Sequence, residues 1–221
     1  MQQTIDDTAV AAGGETVIHL MDITPAGSDA ILRALPEGRA ARLAYDSETG
    51  TLEIMAPYAE HESDARIIDL LLGAIASDCN VEIDAYGSTT LQRKEPWAEP
   101  DSCFYIGDHA RAIRGKKKLD LEVDPPPDIV VEIDISRARF DKRPLYARIG
   151  PPEFWRYDGK SLTFYELHAG KYVETPTSRA FRWLASSDVQ RFIEMAAIKG
   201  QTATVRAWRE WLRETMSRRP K

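Results

Sequence analysis

Eight consecutive residues near the middle of the chain, Asp128-Ile129-Val130-Val131-Glu132-Ile133-Asp134-Ile135, constrain its fold more than any others. Side chains alternate across a strand, so Ile129, Val131, Ile133 and Ile135 share one face. Asp128, Val130, Glu132 and Asp134 share the other. A strand this rich in Ile and Val belongs inside a sheet with helices packed over it. Three carboxylates on its second face then need a reason, because desolvating an unpaired carboxylate costs several kcal/mol. Two reasons are open. Either that face is wet, as on the solvated side of an antiparallel sheet, or the acids line a cleft and gather around a divalent cation.

A second stretch bears on the choice. In Glu99-Pro100-Asp101-Ser102-Cys103-Phe104-Tyr105-Ile106, the residues Glu99, Asp101, Cys103 and Tyr105 share one parity, while Phe104 and Ile106 point the other way. Another carboxylate therefore opens an otherwise apolar strand. Two or three oxygen ligands from neighbouring strands make the hard, open site that Mg²⁺ prefers, with waters completing an octahedron. Lys142 stands at the start of the next predicted helix, from which its ammonium can reach back. An acid pair holding a metal, with a lysine beside it, suits phosphodiester hydrolysis. The metal lowers the pKa of the attacking water, and the lysine orients that water or stabilises developing negative charge.

The rest of the pattern predicts a single α/β (α+β) unit on a mixed central sheet. The apolar residues Ile68, Leu71, Leu72 and Ile75 recur at helical spacing and predict a helix over 61–78. Strands are expected over 16–22, 42–45, 51–55, 81–86, 89–93, 102–106, 128–135, 154–157 and 162–167, with 171–174 extending the last hairpin. Further helices are expected over 28–35, 141–149, 188–198 and 204–216, and 107–127 reads as a charged connection. The domain reading is a flexible tail over 1–15, the main domain over 16–180 and a helical extension over 181–221. With 43% hydrophobic residues in 221, the chain can bury a real core. No run approaches ~18 uncharged apolar residues, so no membrane span is expected. The acidic start is unlike a secretory signal, and two cysteines, Cys79 and Cys103, suit a reducing cytoplasm.

These residues resemble the Uma2 family, a bacterial branch of the PD-(D/E)xK restriction-endonuclease-like superfamily. The resemblance is carried by several motifs in order. Leu52-Glu53-Ile54-Met55-Ala56-Pro57 with Glu60-His61-Glu62 leads into the long helix, and Glu99-Pro100-Asp101 supplies the "PD". Pro126-Pro127-Asp128-Ile129-Val130-Val131-Glu132-Ile133 resembles "PPDLVVEV", and Asp141-Lys142 with Leu145-Tyr146-Ala147 resembles the "D…K…LYA" helix. Pro152-Glu153-Phe154-Trp155 resembles "PEYW". One departure stands out: Glu132-Ile133-Asp134 puts Asp where the superfamily has lysine, and Lys142 is the residue that matches a lysine displaced to the following helix.

The resemblance implies a restriction-endonuclease-like core and a Mg²⁺-dependent DNA endonuclease, with Mn²⁺ able to substitute, acting as a homodimer in the cytoplasm. It implies Asp101 and Glu132 as metal ligands and catalytic residues, with the Ile133 carbonyl a third ligand, and Lys142 as base or electrostatic stabiliser. Glu53, whose parity separates it from Leu52 and Ile54, and Asp134 are candidate additional ligands, although Asp134 also reads as a solvated acid. His61 reads as a phosphate contact, a supporting partner of the site or an ordinary surface histidine. Glu99 reads as a supporting partner or a plain charged residue at the start of its strand, and Cys103 as small packing. Arg139 and Arg143 are candidate phosphate contacts.

Charge complicates the DNA reading. The chain holds 35 acids and 29 bases, a formal net charge of −6, so any nucleic-acid surface must be a local patch. The bases cluster over 111–118, 137–160 and 206–221, with Trp155 and Tyr157 among the arginines of the middle cluster. Each cluster reads either as a phosphate footprint or as a solvated surface. The stripe Val205, Trp208, Leu212 reads as a core-packing or dimer-forming helix face. The competing functional reading is a catalytically silent domain that binds nucleic acid or protein on the same scaffold, and a hydrolase of smaller phosphates is a third.

Overall fold

The computed structural model describes residues 16–36, 39–135 and 140–218. The tail expected over 1–15 lies outside the described residues, as do Arg137, Arg139 and residues 219–221.

In chain order the elements are β1 (Thr16–Leu20), α1 (Pro25–Ala34), β2 (Arg42–Asp46), β3 (Thr51–Ala56), α2 (Ala59–Asp78), β4 (Ile83–Tyr86), β5 (Leu91–Gln92) and β6 (Trp97–Ala98). They continue as β7 (Ser102–Ile106), α3 (Asp108–Ile113), β8 (Ile129–Ile133), α4 (Arg143–Ile149) and β9 (Glu153–Tyr157). The chain closes with β10 (Leu162–His168), β11 (Lys171–Thr175), α5 (Ser186–Lys199) and α6 (Gln201–Ser217).

A six-stranded sheet in the order β11-β10-β9-β8-β7-β4 forms the expected mixed centre. Its pairs are antiparallel except β8 with β9, which are parallel and joined through α4. Such a pair needs a crossover, and α4 supplies it. The helix stops where Gly150 takes φ 106, a left-handed conformation that an L side chain rarely adopts.

Alternation along β7, β8 and β9 sorts the core into two layers. Phe104, Ile129, Val131, Ile133, Trp155 and Tyr157 face the layer shared with α2, α5 and α6. Trp155 stacks on Phe164 with centroids 4.1 Å apart. Trp208, from the predicted C-terminal stripe, is buried here and donates its Nε1–H to the Leu71 carbonyl at 2.9 Å, so that stripe packs on α2. Cys103, Tyr105, Val130 and Phe154 face the opposite layer with Leu145, Tyr146 and Ile149 of α4.

The first hairpin, β2 and β3, does not join the central sheet. It belongs to a five-stranded antiparallel sheet in the order β1-β3-β2-β6-β5; β5 falls within the strand expected over 89–93, while the two-residue β6 carries little sequence signal of its own. Leu43, Tyr45, Leu52 and Trp97 form a third cluster under α1. Thr24 caps that helix by accepting from the Gly27 amide at 3.1 Å. On the sheet's other face, Ala44 and Ala98 pack into the layer beneath α4. The same face carries Arg42, two residues from Ala44, and Glu53, which pairs with Ala44 across the ladder. This second sheet therefore sends charged side chains toward the acid-bearing face of the first. Within the expected charged connection, α3 forms because Ala110 and Ile113 find cover in the same layer.

Candidate active site

The β7–β8 ladder pairs Ser102 with Val131, so Asp101 and Glu132 stand one residue beyond that pair on adjoining strands. Both are buried, on the face beneath α4. Asp101 is held from three directions. Its Oδ2 accepts the Ile133 amide at 2.7 Å and lies 3.2 Å from His61 Nε2, and its Oδ1 lies 2.9 Å from Arg42 Nε. Arg42 comes from the second sheet, and its Nη2 also pairs with Glu62 at 2.7 Å.

Glu132 is bracketed by two residues one turn apart at the start of α4. Lys142 Nζ lies 2.8 Å from one carboxylate oxygen, and the Tyr146 hydroxyl donates to the other. Positions i and i+4 meet on one helix face, which is how Lys142 and Tyr146 reach the same carboxylate. Lys142 Nζ also lies 3.0 Å from Glu53 Oε1, and Glu53 Oε2 lies 3.0 Å from His19 Nε2. His19 is the β1 neighbour of Glu53 in the ladder. Residues from both sheets and two helices thus meet in two ion-paired groups, coupled through the charges of Asp101, Glu132 and Lys142.

The electrostatics follow from the burial. Burial acts against the Lys142 ammonium, but Glu132, Glu53 and Asp101 around it outweigh that and hold its pKa well above the lysine value. Burial raises the Glu132 carboxyl and the Asp101 charge adds to it. Lys142 and Tyr146 oppose without cancelling, and the result is pushed up to about 7. For Glu53 the balance is reversed, since Lys142 and His19 outweigh burial and hold it below the usual carboxylate range. The Tyr146 hydroxyl, raised well above its ordinary value by burial and Glu132, stays a donor. Two neighbouring acids thus differ in protonation tendency because one has Asp101 beside it and the other has His19.

The donor chemistry suits a hard divalent cation. Asp101 and Glu132 offer carboxylate oxygens from adjoining strands, and Mg²⁺ is commonly held by one or two carboxylates with waters and substrate phosphate filling the remaining positions. Among the described residues, no group of three or more His, Cys, Asp or Glu is arranged as a ready protein cage. This agrees with Lys142 lying between Glu132 and Glu53 rather than outside them.

The other predicted site residues divide between the site and its surroundings. His61 is fully buried against Asp101, which overturns the surface-histidine reading. Glu99, although it shares parity with Asp101, turns to Arg39, Thr90 and the Leu43 amide and braces β2. Asp134 pairs with Arg156, with Nε at 2.8 Å and Nη2 at 2.6 Å from the same oxygen. Arg143 forks onto Asp141, with both contacts at 2.9 Å. Arg139 lies outside the described residues. Arg42, His19 and Tyr146 were not singled out from sequence. Arg42 and Tyr146 carried a signal, one as a charge on a strand that is otherwise largely apolar, the other as the residue one turn beyond Lys142.

Two parts of the basic footprint also change. Trp155 and Tyr157 lie in the core layer of α2, so they are not a stacking surface for bases. Arg111 and Arg114 pair with Glu82, Asp84 and Asp108, Lys116 with Asp124, and Arg148 with Asp46 and Glu48. Most of these local bases are spoken for by acids.

No helix among the described residues is long and apolar enough to cross a membrane. No curated protein matches the chain. Among solved structures it is similar to one described as a "putative nuclease belonging to DUF820" from Anabaena variabilis ATCC 29413. That likeness has 15% identity and a TM-score of 0.49, over 77% of this chain and 99% of the other. The family model Uma2, described as "Putative restriction endonuclease", matches residues 30–197, a span that holds Arg42, Glu53, His61, Asp101, Glu132, Lys142 and Tyr146. The chain belongs to the Uma2 family.

Proposed function

We propose that this protein is a Mg²⁺-dependent DNA endonuclease that hydrolyses phosphodiester bonds at the Asp101–Glu132–Lys142 cluster. The observation that carries the reading is the position of Lys142. It starts the helix after β8, yet its Nζ sits 2.8 Å from Glu132 and 3.0 Å from Glu53. A lysine absent from the strand is thus supplied from the next element.

Asp101 and Glu132 would hold the metal, with the Ile133 carbonyl as a further ligand and Glu53 as an additional one. When bound, Mg²⁺ supplies Lewis-acid activation of the phosphate and of a water. The chain's own residues do the positioning. The Ile133 amide, Arg42 and His61 fix the Asp101 carboxylate, and Tyr146 fixes Glu132. Lys142, kept charged by three acids, orients the attacking water and stabilises negative charge on the phosphate oxygens as the bond breaks. Family membership supports the nuclease class. The described residues of each chain hold one such cluster, so a double-strand cut calls for a homodimer.

The second reading, a silent binding domain, is favoured by one observation: Asp134 occupies the strand position of the superfamily lysine and is already paired with Arg156. Supercoiled plasmid with Mg²⁺ separates the two. The endonuclease converts it to nicked or linear product, EDTA stops the conversion, and Lys142→Ala lowers the rate about 100-fold or more. Binding with no product in Mg²⁺ or Mn²⁺ supports the silent domain. Wild-type rates from Lys142→Ala remove the lysine from the mechanism.

A further inference from the structure

Arg156 has a placement that the cleavage chemistry above does not use. On the parallel β8–β9 ladder it is the registered neighbour of Glu132, so both side chains leave the sheet on the same face. Phe154, the residue of matching parity, is buried in the layer beneath α4, which fixes that face independently. The guanidinium meets Asp134, two residues on from Glu132 along the chain. Both of its contacts, from Nε and from Nη2, go to a single oxygen, Asp134 Oδ2. A guanidinium fork satisfied by a carboxylate normally uses both oxygens, so this pairing leaves much of the fork's donor capacity unspent. The Arg156 side chain is also 37% exposed, against 16% for Lys142 and 11% for Arg42. Of Lys142, Arg42 and Arg156, it is the one with real access to solvent.

Asp134 completes the arrangement. It borders the same cluster closely enough to feel the charges of Lys142 and Glu53. Its main-chain amide donates to the Tyr157 carbonyl at 2.7 Å, which anchors it beside β9. A carboxylate in the strand position of a superfamily lysine would repel a phosphate arriving at the site. Paired with Arg156, it presents a nearly neutral rim.

We infer that Arg156 grips a phosphate of the nucleic-acid backbone at the edge of the active site, and that Asp134 holds and masks it until the phosphate takes its place. The exchange is one anion for another. Two phosphate oxygens satisfy the fork in the planar geometry that a single carboxylate oxygen does not. This rests on the nucleic-acid reading above and adds a residue in contact with substrate.

The test is equilibrium binding of a fluorescein-labelled DNA duplex in EDTA, by fluorescence anisotropy over a series of salt concentrations. Cleavage plays no part in the readout. Arg156→Ala weakens binding about tenfold and lowers the salt slope by about one. Arg156→Lys keeps the slope while losing part of the affinity, because a point charge replaces the fork. Asp134→Asn tightens binding about two- to fivefold, the worth of a partly exposed ion pair. The salt slope of the double variant is decisive: Asp134→Asn placed on Arg156→Ala relieves the repulsion of the unmasked carboxylate but leaves the slope about one below wild type. A double variant that recovers the wild-type slope would mean that removing the acid is enough without the guanidinium, and would overturn the proposal. So would Arg156→Ala binding at wild-type affinity and slope while wild type binds DNA, an outcome that leaves the endonuclease reading standing. A wild-type protein that binds the duplex neither in EDTA nor in Ca²⁺ overturns both.

Discussion

The two faces of β8 are built from alternate residues of one strand and are governed by different physics. On the face toward α2, Ile129, Val131 and Ile133 are buried among Trp155, Phe164 and Trp208, and the energy is that of apolar area removed from water. On the face toward α4, Val130 continues that logic, and one step on Glu132 abandons it for Lys142, Tyr146 and Asp101. Replacing a buried ionic network by apolar residues is often neutral or stabilising, so the network is poor evidence of stability. The first face holds the molecule together. The second face is where stability gives way to chemistry.

Mutation can sharpen that contrast. The largest effect is expected from Trp155→Ala, which cuts a cavity into the apolar face and costs about 3–5 kcal/mol in chemical denaturation. Glu132→Gln on the other face behaves in the opposite way. Lys142 keeps Glu53 as a partner, so the fold changes by about 1 kcal/mol or less, while plasmid cleavage falls about 100-fold or more. A Glu132→Gln variant as unstable as Trp155→Ala would erase the contrast.

Tyr146→Phe removes one donor from Glu132 and leaves ring packing in place. The expected cost is about 1 kcal/mol in stability, with weaker Mn²⁺ binding by calorimetry because Glu132 loses its fixed orientation. Unchanged Mn²⁺ affinity would show that Tyr146 only packs.

The smallest effect concerns Asp64, on α2 near Glu60 and His61. Burial, with the Glu60 charge adding, raises its carboxyl to about 6, above its unfolded value of 3.8. The folded state therefore holds this proton more tightly, and the acid's cost to stability grows as pH rises from about 4 to about 6. Asp64→Asn lacks that cost. It should be more stable than wild type by about 1 kcal/mol at neutral pH, with the gain vanishing below about pH 4. A gain independent of pH would assign the effect to something other than the charge.

Much of this was legible in the sequence because alternation is a local rule. The parity of Glu132 and Asp101, the 61–78 helix and the β9–β10 hairpin all follow from residues close together in the chain. Lys142 was legible as a charge at a helix start that could reach back over one crossover. What stayed hidden depends on long-range pairing. Whether the first hairpin joined the central sheet or built its own could not be read from β2 and β3 alone, because the answer lies in the pairing of β2 with the two-residue β6, which has almost no pattern. With that second sheet unseen, Arg42 and His19 had no reason to be placed near Asp101 and Glu53. The same blindness gave Trp155 and Tyr157 to a DNA surface: their arginine neighbours were visible, and so was the 61–78 helix, but not that it packs over them.

The central claim is that Asp101 and Glu132 share one metal ion beside the Lys142 ammonium. The anomalous signal of a crystal soaked in Mn²⁺ addresses it directly. The account predicts a peak bonded to both carboxylates, with Lys142 Nζ remaining within reach of the cluster. A protein that cleaves DNA in Mn²⁺ while its only peak lies away from Asp101 and Glu132 would contradict it.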